Sequence, residues 1–544
     1  LASVSGDIRI ADGVTEISNY LFENNSKITG VVLPESVTRI GDGAFSLCEN
    51  LTSVTLPSAL ETLGESVFAG CVNLTGIEDP SGKFTKTVDG IVYSPDGTRL
   101  IAVLASASGE IRIAASVTEI PGCLFQNNQR ITGVIIPEGV TAIRYNAFEG
   151  CTALTSIVIP EGVTEIEYRA FYRCESLTSI TLPANLKTLG EGAFAGCRNL
   201  TDIEDKSGKC LNIVDGIVYS ADGTRIIAVL TSASGDIRIA EGVTEIPDGL
   251  FEGNDRITSV VIPDGVTRIG NYAFNLCSSL IDIVIPESVT SIGEEAFHNC
   301  NSLTSIVVPE GVTSIGNAAF SWCYNLTSIT LPSTLETLGE GVLEGCSNLT
   351  SFEDKSGKFV QSADGIIYSA DGAQIIAALA SVSGEVRIAG GVTKIPNALF
   401  LANRRITGIV IPDGVTDIGE FAFYGCTSLT SIVIPESVTS IGNYAFYGCT
   451  AMTGIVLPEG VTSIGNGAFN CCNSLTSVTL PSTLETLGEG VFDGCGALAS
   501  IEDKSGKFLK VADGIVYTAD GTRIITALAS ASGEIHIAEG VTEI

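Results

Sequence analysis

Histidine is almost missing from this chain: there are two in 544 residues, His298 and His536, far apart in sequence. Sister copies of the surrounding sequence often hold Tyr, Ser or Asn in place of the first and Arg in place of the second, so neither has a partner set for a nucleophile or a metal. There is no Gly-x-Gly-x-x-Gly, His-Glu-x-x-His or Gly-x-Ser-x-Gly, and the Gly-Lys of "EDKSGKF" lacks the spacing of a phosphate loop. These absences argue against an enzyme and give no reason to expect a cofactor. Bases are also scarce. Twenty-nine Lys and Arg stand against 62 Asp and Glu, a net charge of −33, so the basic face that a nucleic acid needs is lacking. The acids are scattered over turn positions, where they keep a long apolar body in solution. No apolar run approaches the roughly 18–20 residues of a membrane span, because Thr, Ser, Pro or Gly interrupts every strand-like stretch. The chain starts at Leu1, without a basic-then-apolar leader, and residues 1–17 nearly match 528–544, as expected for a piece of a longer array.

What the chain has instead is repetition. Copies of a 23-residue unit, typified by "LTSIVIPESVTSIGNYAFYGCTA" at 429–451, start at 5, 28 and 51, at 108, 131, 154 and 177, at 234, 257, 280, 303 and 326, and at 383, 406, 429, 452 and 475. Each run ends in a different, 34-residue element, at 74–107, 200–233, 349–382 and 498–531, which divides the chain into blocks 5–107, 108–233, 234–382 and 383–531. A fixed period of this length predicts a single continuous solenoid in place of separate globular domains.

Within a unit, the β-branched "LTSIVIP" reads as a strand closing at Pro, "VTSIG" as a second short extended piece, and "AFxxC" as a tight corner too short for a helix. Stacked coils then form a mainly β solenoid with a parallel sheet, about 4.8 Å per rung. The inward set of the unit at 429 is Leu429, Ile432, Ile434, Val438, Ile441, Ala445, Phe446 and Cys449. One coil cannot bury its two open faces alone and needs neighbours. The corner phenylalanine recurs through nearly every coil, Phe274, Phe297 and Phe320 among them, and only Leu343 replaces it. It reads as a core spine.

Three residues later stands a cysteine ladder that includes Cys151, Cys174, Cys197, Cys277, Cys300, Cys323 and Cys346. Successive rungs project these thiols in the same direction, so they do not converge on one zinc, and Cβ atoms about 4.8 Å apart are too distant for a disulfide. The first coil of each run has Asn25, Asn128, Asn254 or Asn403 at this position; Asn and Cys share small size and an ability to bond backbone inside a corner. These cysteines are therefore expected to be buried reduced thiols. Cys123, Cys210 and Cys471 fall off the ladder.

The 23-residue pattern resembles the BspA-type, or Treponema pallidum-type, leucine-rich repeat, with its Leu-x-x-Ile-x-Ile-Pro, Ile-Gly, Ala-Phe and Cys positions. Arg144 and Glu167 depart from it where the corner glycine is expected. The resemblance implies a right-handed curved solenoid with its parallel sheet on the concave side. It also implies an extracellular or cell-surface protein engaged in adhesion to host or neighbouring-cell proteins or glycans. The 34-residue element lies outside the pattern. "DGIVYSADGTRIIAVL" predicts a β-hairpin, with Asp215-Gly216 and Asp222-Gly223 as turns, and the Ser234-Gly235 that opens the next coil suggests a pause or bend.

Two surfaces are candidates for ligand contact. Thr155, Ser156 and Val158, with Thr327, Ser328 and Thr330, should point outward from the strand. Tyr168, Tyr172, Trp322, Tyr324, Phe421, Tyr424, Tyr444 and Tyr447 gather beside the corner, where exposed aromatics stack on sugars or anchor a protein. Runs of three, four, five and five units suit a function that depends on length or valency. The alternative to adhesion is a stalk or filament in which further copies of the chain stack end to end.

Overall fold

The computed structural model describes residues 4–208, 210–529, 531 and 536–542, and falls into two compact units, Leu1–Cys277 and Ser278–Ile544. Every regular element among the described residues is a strand. In the first unit, Gly6–Arg9, Ile28–Val32, Ser53–Thr55 and Gly76–Glu78 pair in parallel in that order. Val31 faces Val54 and Val54 faces Ile77, equivalent positions of successive units. A narrower ladder of two-residue strands, Glu16–Ile17, Arg39–Ile40 and Thr62–Leu63, closes each coil. The second unit repeats this plan with Ser305–Val307, Ser328–Leu331 and Ser351–Asp354, and again with Gly384–Arg387, Ile406–Val410 and Ser431–Val433. The fold is the β-solenoid that the period predicts.

Burial follows the pattern of the unit. Leu429, Ile432, Ile434, Val438, Ile441, Ala445, Phe446 and Cys449 are all buried. The phenylalanines stack ring on ring, as in Phe148–Phe171 at 5.2 Å and 2° or Phe446–Phe469 at 5.3 Å and 3°. The ladder cysteines are free and buried. Each bonded thiol donates to the carbonyl of the phenylalanine one coil earlier, as Cys151 does to Phe125 and Cys323 to Phe297, both at 3.1 Å. Burial raises the Cys151 thiol to about 12. Asn403 replaces this bond with a clip: its amide donates to Val382 O at 3.0 Å, and its oxygen accepts from the N–H groups of Arg405 and Ile406.

The long elements contain more structure than a hairpin. Their first strand, such as Asp202–Asp205, is one more rung of the broad sheet, paired with Ser179–Leu182. Then come three antiparallel strands, Leu211–Val214, Ile217–Ser220 and Ile226–Val229, so the predicted hairpin is the second half of a meander. The extra strand was hard to read because its residues are exposed or half-buried and show no alternation. The Asp222 carboxylate accepts from Ser220 and Thr224, which builds the Asp-Gly turn and lowers its pKa to about 2.

The middle strand is buried on both faces. In the first element Val92 packs into the core of the coils before it, while Ile91 and Tyr93 pack into the core of the coils after it. The Tyr93 hydroxyl accepts the Ala114 N–H of the following coil at 3.3 Å; Tyr219, Tyr368 and Tyr517 do the same for Ala240, Ala389 and Ala538. The broad sheet stops at each element within a unit and restarts at the Ser-Gly coil, where Gly235, at φ 71°, opens a strand with a register shift.

At the two departures from the corner glycine the turn still forms. Arg144 N–H and Glu167 N–H bond to Ile120 O and Ile143 O at 3.0 and 2.9 Å, as Gly190 N–H bonds to Ile166 O. The Arg144 side chain is satisfied by Glu119, Glu165 and Glu167.

Candidate functional site

Two backbone positions in each corner, two residues before and two residues after the phenylalanine, take left-handed φ. Glycine fills one or the other without strain in many coils, as at Gly43, Gly192, Gly345 and Gly467. Elsewhere a side chain is held there, at about 1–2 kcal/mol each. Phe421 (φ 56°), Tyr444 (φ 52°) and Trp322 (φ 56°) are such residues. Their backbone is fixed from rung to rung, Phe421 N–H to Asn443 O at 3.0 Å and Tyr444 N–H to Asn466 O at 2.8 Å.

These side chains join with Tyr324, Tyr424 and Tyr447 into one group of six rings in the second unit. Trp322 meets Tyr324 and Phe421 edge-on at 5.9 and 5.8 Å. Phe421 stacks on Tyr444 at 5.4 Å and 6°, and Tyr424 on Tyr447 at 4.6 Å and 5°. Edge contacts Phe421–Tyr424 and Tyr444–Tyr447 link the two stacks. Tyr324 is 37% exposed and the other five are half-buried. Rings this close cover each other's faces, so a partner meets mainly their edges.

The first unit does not extend this group. Tyr168 is exposed, but Tyr172, expected at the surface, is buried at 4%. Arg169 lies 4.9 Å from the Tyr168 ring centroid and 4.8 Å from that of Tyr172, and Arg173 sits over Tyr172 and Tyr272. Burial raises the Tyr172 phenol. Arg173 grips Glu252 with two bonds of 2.8 Å, Arg198 adds a third at 2.9 Å, and Arg169 and Arg268 hold Asp248. These partners lie on either side of the element at 200–233. Arg169 and Arg173 pass over Gly192 and Gly196, where a Cβ would meet their side chains at 3.6 and 2.9 Å. Trp322 passes over Gly345 in the same way, within 3.0 Å of such a Cβ. Sequence reasoning missed this device; its signal is the glycine pair in the last coil before an element, "GEGAFAGC" and "GEGVLEGC".

On the broad sheet Thr155, Ser156 and Thr327 are exposed, Ser328 and Thr330 half-buried, and Val158 is 65% exposed. The threonine hydroxyls are committed along the stack, from coil to coil: Thr155 donates to Thr132 O and Thr327 to Thr304 O, both at 2.9 Å, and Thr330 to Glu353 at 3.2 Å. What this strip offers a partner is mostly methyl groups. Asn199 and Asn348, each followed by Leu-Thr in the pattern of an N-glycosylation sequon, also have committed amides, donating to Glu175 O and Tyr324 O.

His298 contacts Ser321 at 2.6 Å and Asn299 at 2.7 Å through its two ring nitrogens, and burial lowers its pKa, which makes it part of the packing. Among the described residues no three His, Cys, Asp or Glu side chains are grouped to hold a metal, and no helix is long and apolar enough to cross a membrane.

Solved structures similar to the chain include a leucine-rich cell surface protein from Faecalibacterium prausnitzii, 26% identical over 77% of this chain and 94% of that one, TM-score 0.40. Others are the pneumococcal vaccine antigen PcpA, 16% identical over 78% and 88%, TM-score 0.29, and the T. pallidum leucine-rich repeat protein, 23% identical over 41% and 89%, TM-score 0.25. No curated protein matches. The family model of the BspA-type leucine-rich repeat region matches residues 4–91, 107–219, 244–362 and 393–511. With this repeat over most of its length, the chain belongs to the BspA-type leucine-rich repeat family.

Proposed function

We propose that the chain is a non-enzymatic scaffold outside the cell that binds a protein on a host or neighbouring cell, with the aromatic corner of the second unit as its contact surface. The observation that carries this reading is the group of six rings, three of them on left-handed backbone where glycine would remove the strain. In the first unit the bulky residues at these positions, Arg169 and Arg173, end on carboxylates of the protein, whereas Phe421 and Tyr444 meet other rings of the group. The stacked rings leave no gap for a sugar ring between them, and their edges and rims suit the anchors of a protein interface. The repeat family and its similarity to a bacterial cell surface protein support the location.

The test replaces Tyr424, Tyr444 and Tyr447 by Ala and compares capture of the chain on immobilised host matrix proteins and on a glycan array. Loss of protein capture by tenfold or more, with an unchanged circular dichroism spectrum, is expected. Capture that survives the triple change, or capture by glycans alone, would overturn the reading.

A further inference from the structure

The second unit has a cleft of about 850 Å³ where the element at 349–382 interrupts the column of corners. Among the residues that line it are Glu344, Asn397, Asp417, Glu420, Ser440 and Asn443. Asp417 is satisfied by Thr416 and Ser440, at 2.5 and 2.6 Å, and Lys394, exposed at the rim, helps to keep it ionised. Glu344 and Glu420 differ. Each is half-buried, and each receives only one long side-chain bond, from Asn397 and Asn443 respectively, both at 3.5 Å. Neither has an ion pair among the described residues. Burial, with the Glu420 charge adding to it, raises the Glu344 pKa. Phe421 follows Glu420 directly, so the cleft opens beside the aromatic group.

The first unit shows what this architecture accepts. At the matching junction Arg268 holds Asp248 with bonds of 2.8 and 2.9 Å, Arg169 reaches the same carboxylate, and Arg225 donates to Leu189 O at 3.1 Å. The same repeat positions in the second unit are Asp417, Ala318 and Gln374. Every guanidinium is gone, while Ala195 and Asn271 of the first unit correspond to Glu344 and Glu420. The second junction exchanges Asp248 and Glu252 for Asn397 and Leu401, places carboxylates at Glu344 and Glu420, and holds Lys394, at the position of Glu245, as the one cation among the described residues that line the cleft.

We infer that this cleft receives the guanidinium of an arginine side chain from a partner protein, held by Glu344 and Glu420. The inference rests on the proposed contact surface and names the partner's chemistry there. Arginine matches paired carboxylates through its planar fork, and a half-buried site screens that charge less than open solvent does.

Trp322, the only tryptophan of the chain, is the reporter. A short uncharged-end peptide with two arginines is titrated in 150 mM salt, against the same peptide with citrulline, which keeps the shape and removes the charge. Saturable change in Trp322 emission with the arginine peptide alone is expected, weakened at least tenfold in Glu344→Gln/Glu420→Gln. It should be unchanged in Glu61→Gln/Glu485→Gln, a pair far along the chain from the cleft. Equal response to citrulline, an unchanged affinity in the cleft variant, or equal weakening in the remote one would overturn it. If the cleft variant still captures the host protein while the tyrosine triple does not, the contact surface stands and the arginine site falls.

Discussion

The junctions at 200–233 and 349–382 solve one problem with opposite chemistry. Each long element omits a corner, and in both a side chain from two coils back crosses a glycine to span the step. In the first unit the crossing groups are Arg169 and Arg173, which end on Asp248 and Glu252 inside the protein. In the second the crossing group is Trp322, which meets Phe421, and Glu344 and Glu420 beside it have no ion pair among the described residues. One junction is closed by ion pairs, and the other by ring contacts with its two glutamates held only by long amide bonds. Equivalent positions in a repeat can therefore carry ion pairs in one block and ring contacts in the next.

The sharpest way to break the comparison is Glu252→Ala. Glu252 is buried, accepts from Arg173, Arg198 and Asn275, and its loss takes the carboxylate from the half-buried Arg173 and leaves Arg198 only the longer contact to Glu175 at 3.6 Å. A loss of about 3 kcal/mol is expected, read as faster hydrogen exchange in the strand Ile217–Ser220 while Ile366–Ser369 keeps its protection. A smaller effect comes from pH. Burial, then the neighbouring Glu245 carboxyl, raises Glu191 to about 7. Because its folded-state value lies above the unfolded one of 4.5, its contribution is fully present below pH 4.5 and is lost as pH rises through 7. The first junction should thus weaken between those limits, by on the order of 1 kcal/mol once solvent screening is allowed for. Glu191→Gln should flatten the change in protection factor, the exchange rate relative to that of an unprotected amide at the same pH, between pH 5 and pH 8. The smallest effect is expected for Trp322→Gly. Relief of the left-handed φ offsets the lost ring contacts, so the unfolding midpoint in urea should move by no more than about 1 kcal/mol. A loss near that of Glu252→Ala would mean that Trp322 holds the junction as the arginines do.

Much of this was legible in the sequence because the period itself is physical. A residue that recurs every 23 positions meets its own copy one rung away, so Phe446 and Cys449 could be assigned to the interior without coordinates. The turns at Asp222-Gly223 were readable for the same local reason. What could not be read were contacts that cross an element. Arg169 and Asp248 are 79 residues apart, and no periodicity relates them. Tyr172 looked like its surface counterparts because its burial comes from Arg169, Arg173 and the close approach of Gly249, all set by that crossing. The extra strand at Leu211–Val214 was hidden by its exposure, since apolar alternation marks only strands with one covered face.

The double-sided strand at the centre of each meander has a mechanical consequence. An ordinary coil takes its strand hydrogen bonds from its neighbours, so tearing one coil away unties the next, and a crack runs. Val92 and Tyr93 belong to a sheet whose bonds are internal and antiparallel, and each faces a different core. Such a sheet acts as a bulkhead: when the coils on one side fail under shear, the other side keeps its cover, and the damage stops at the block.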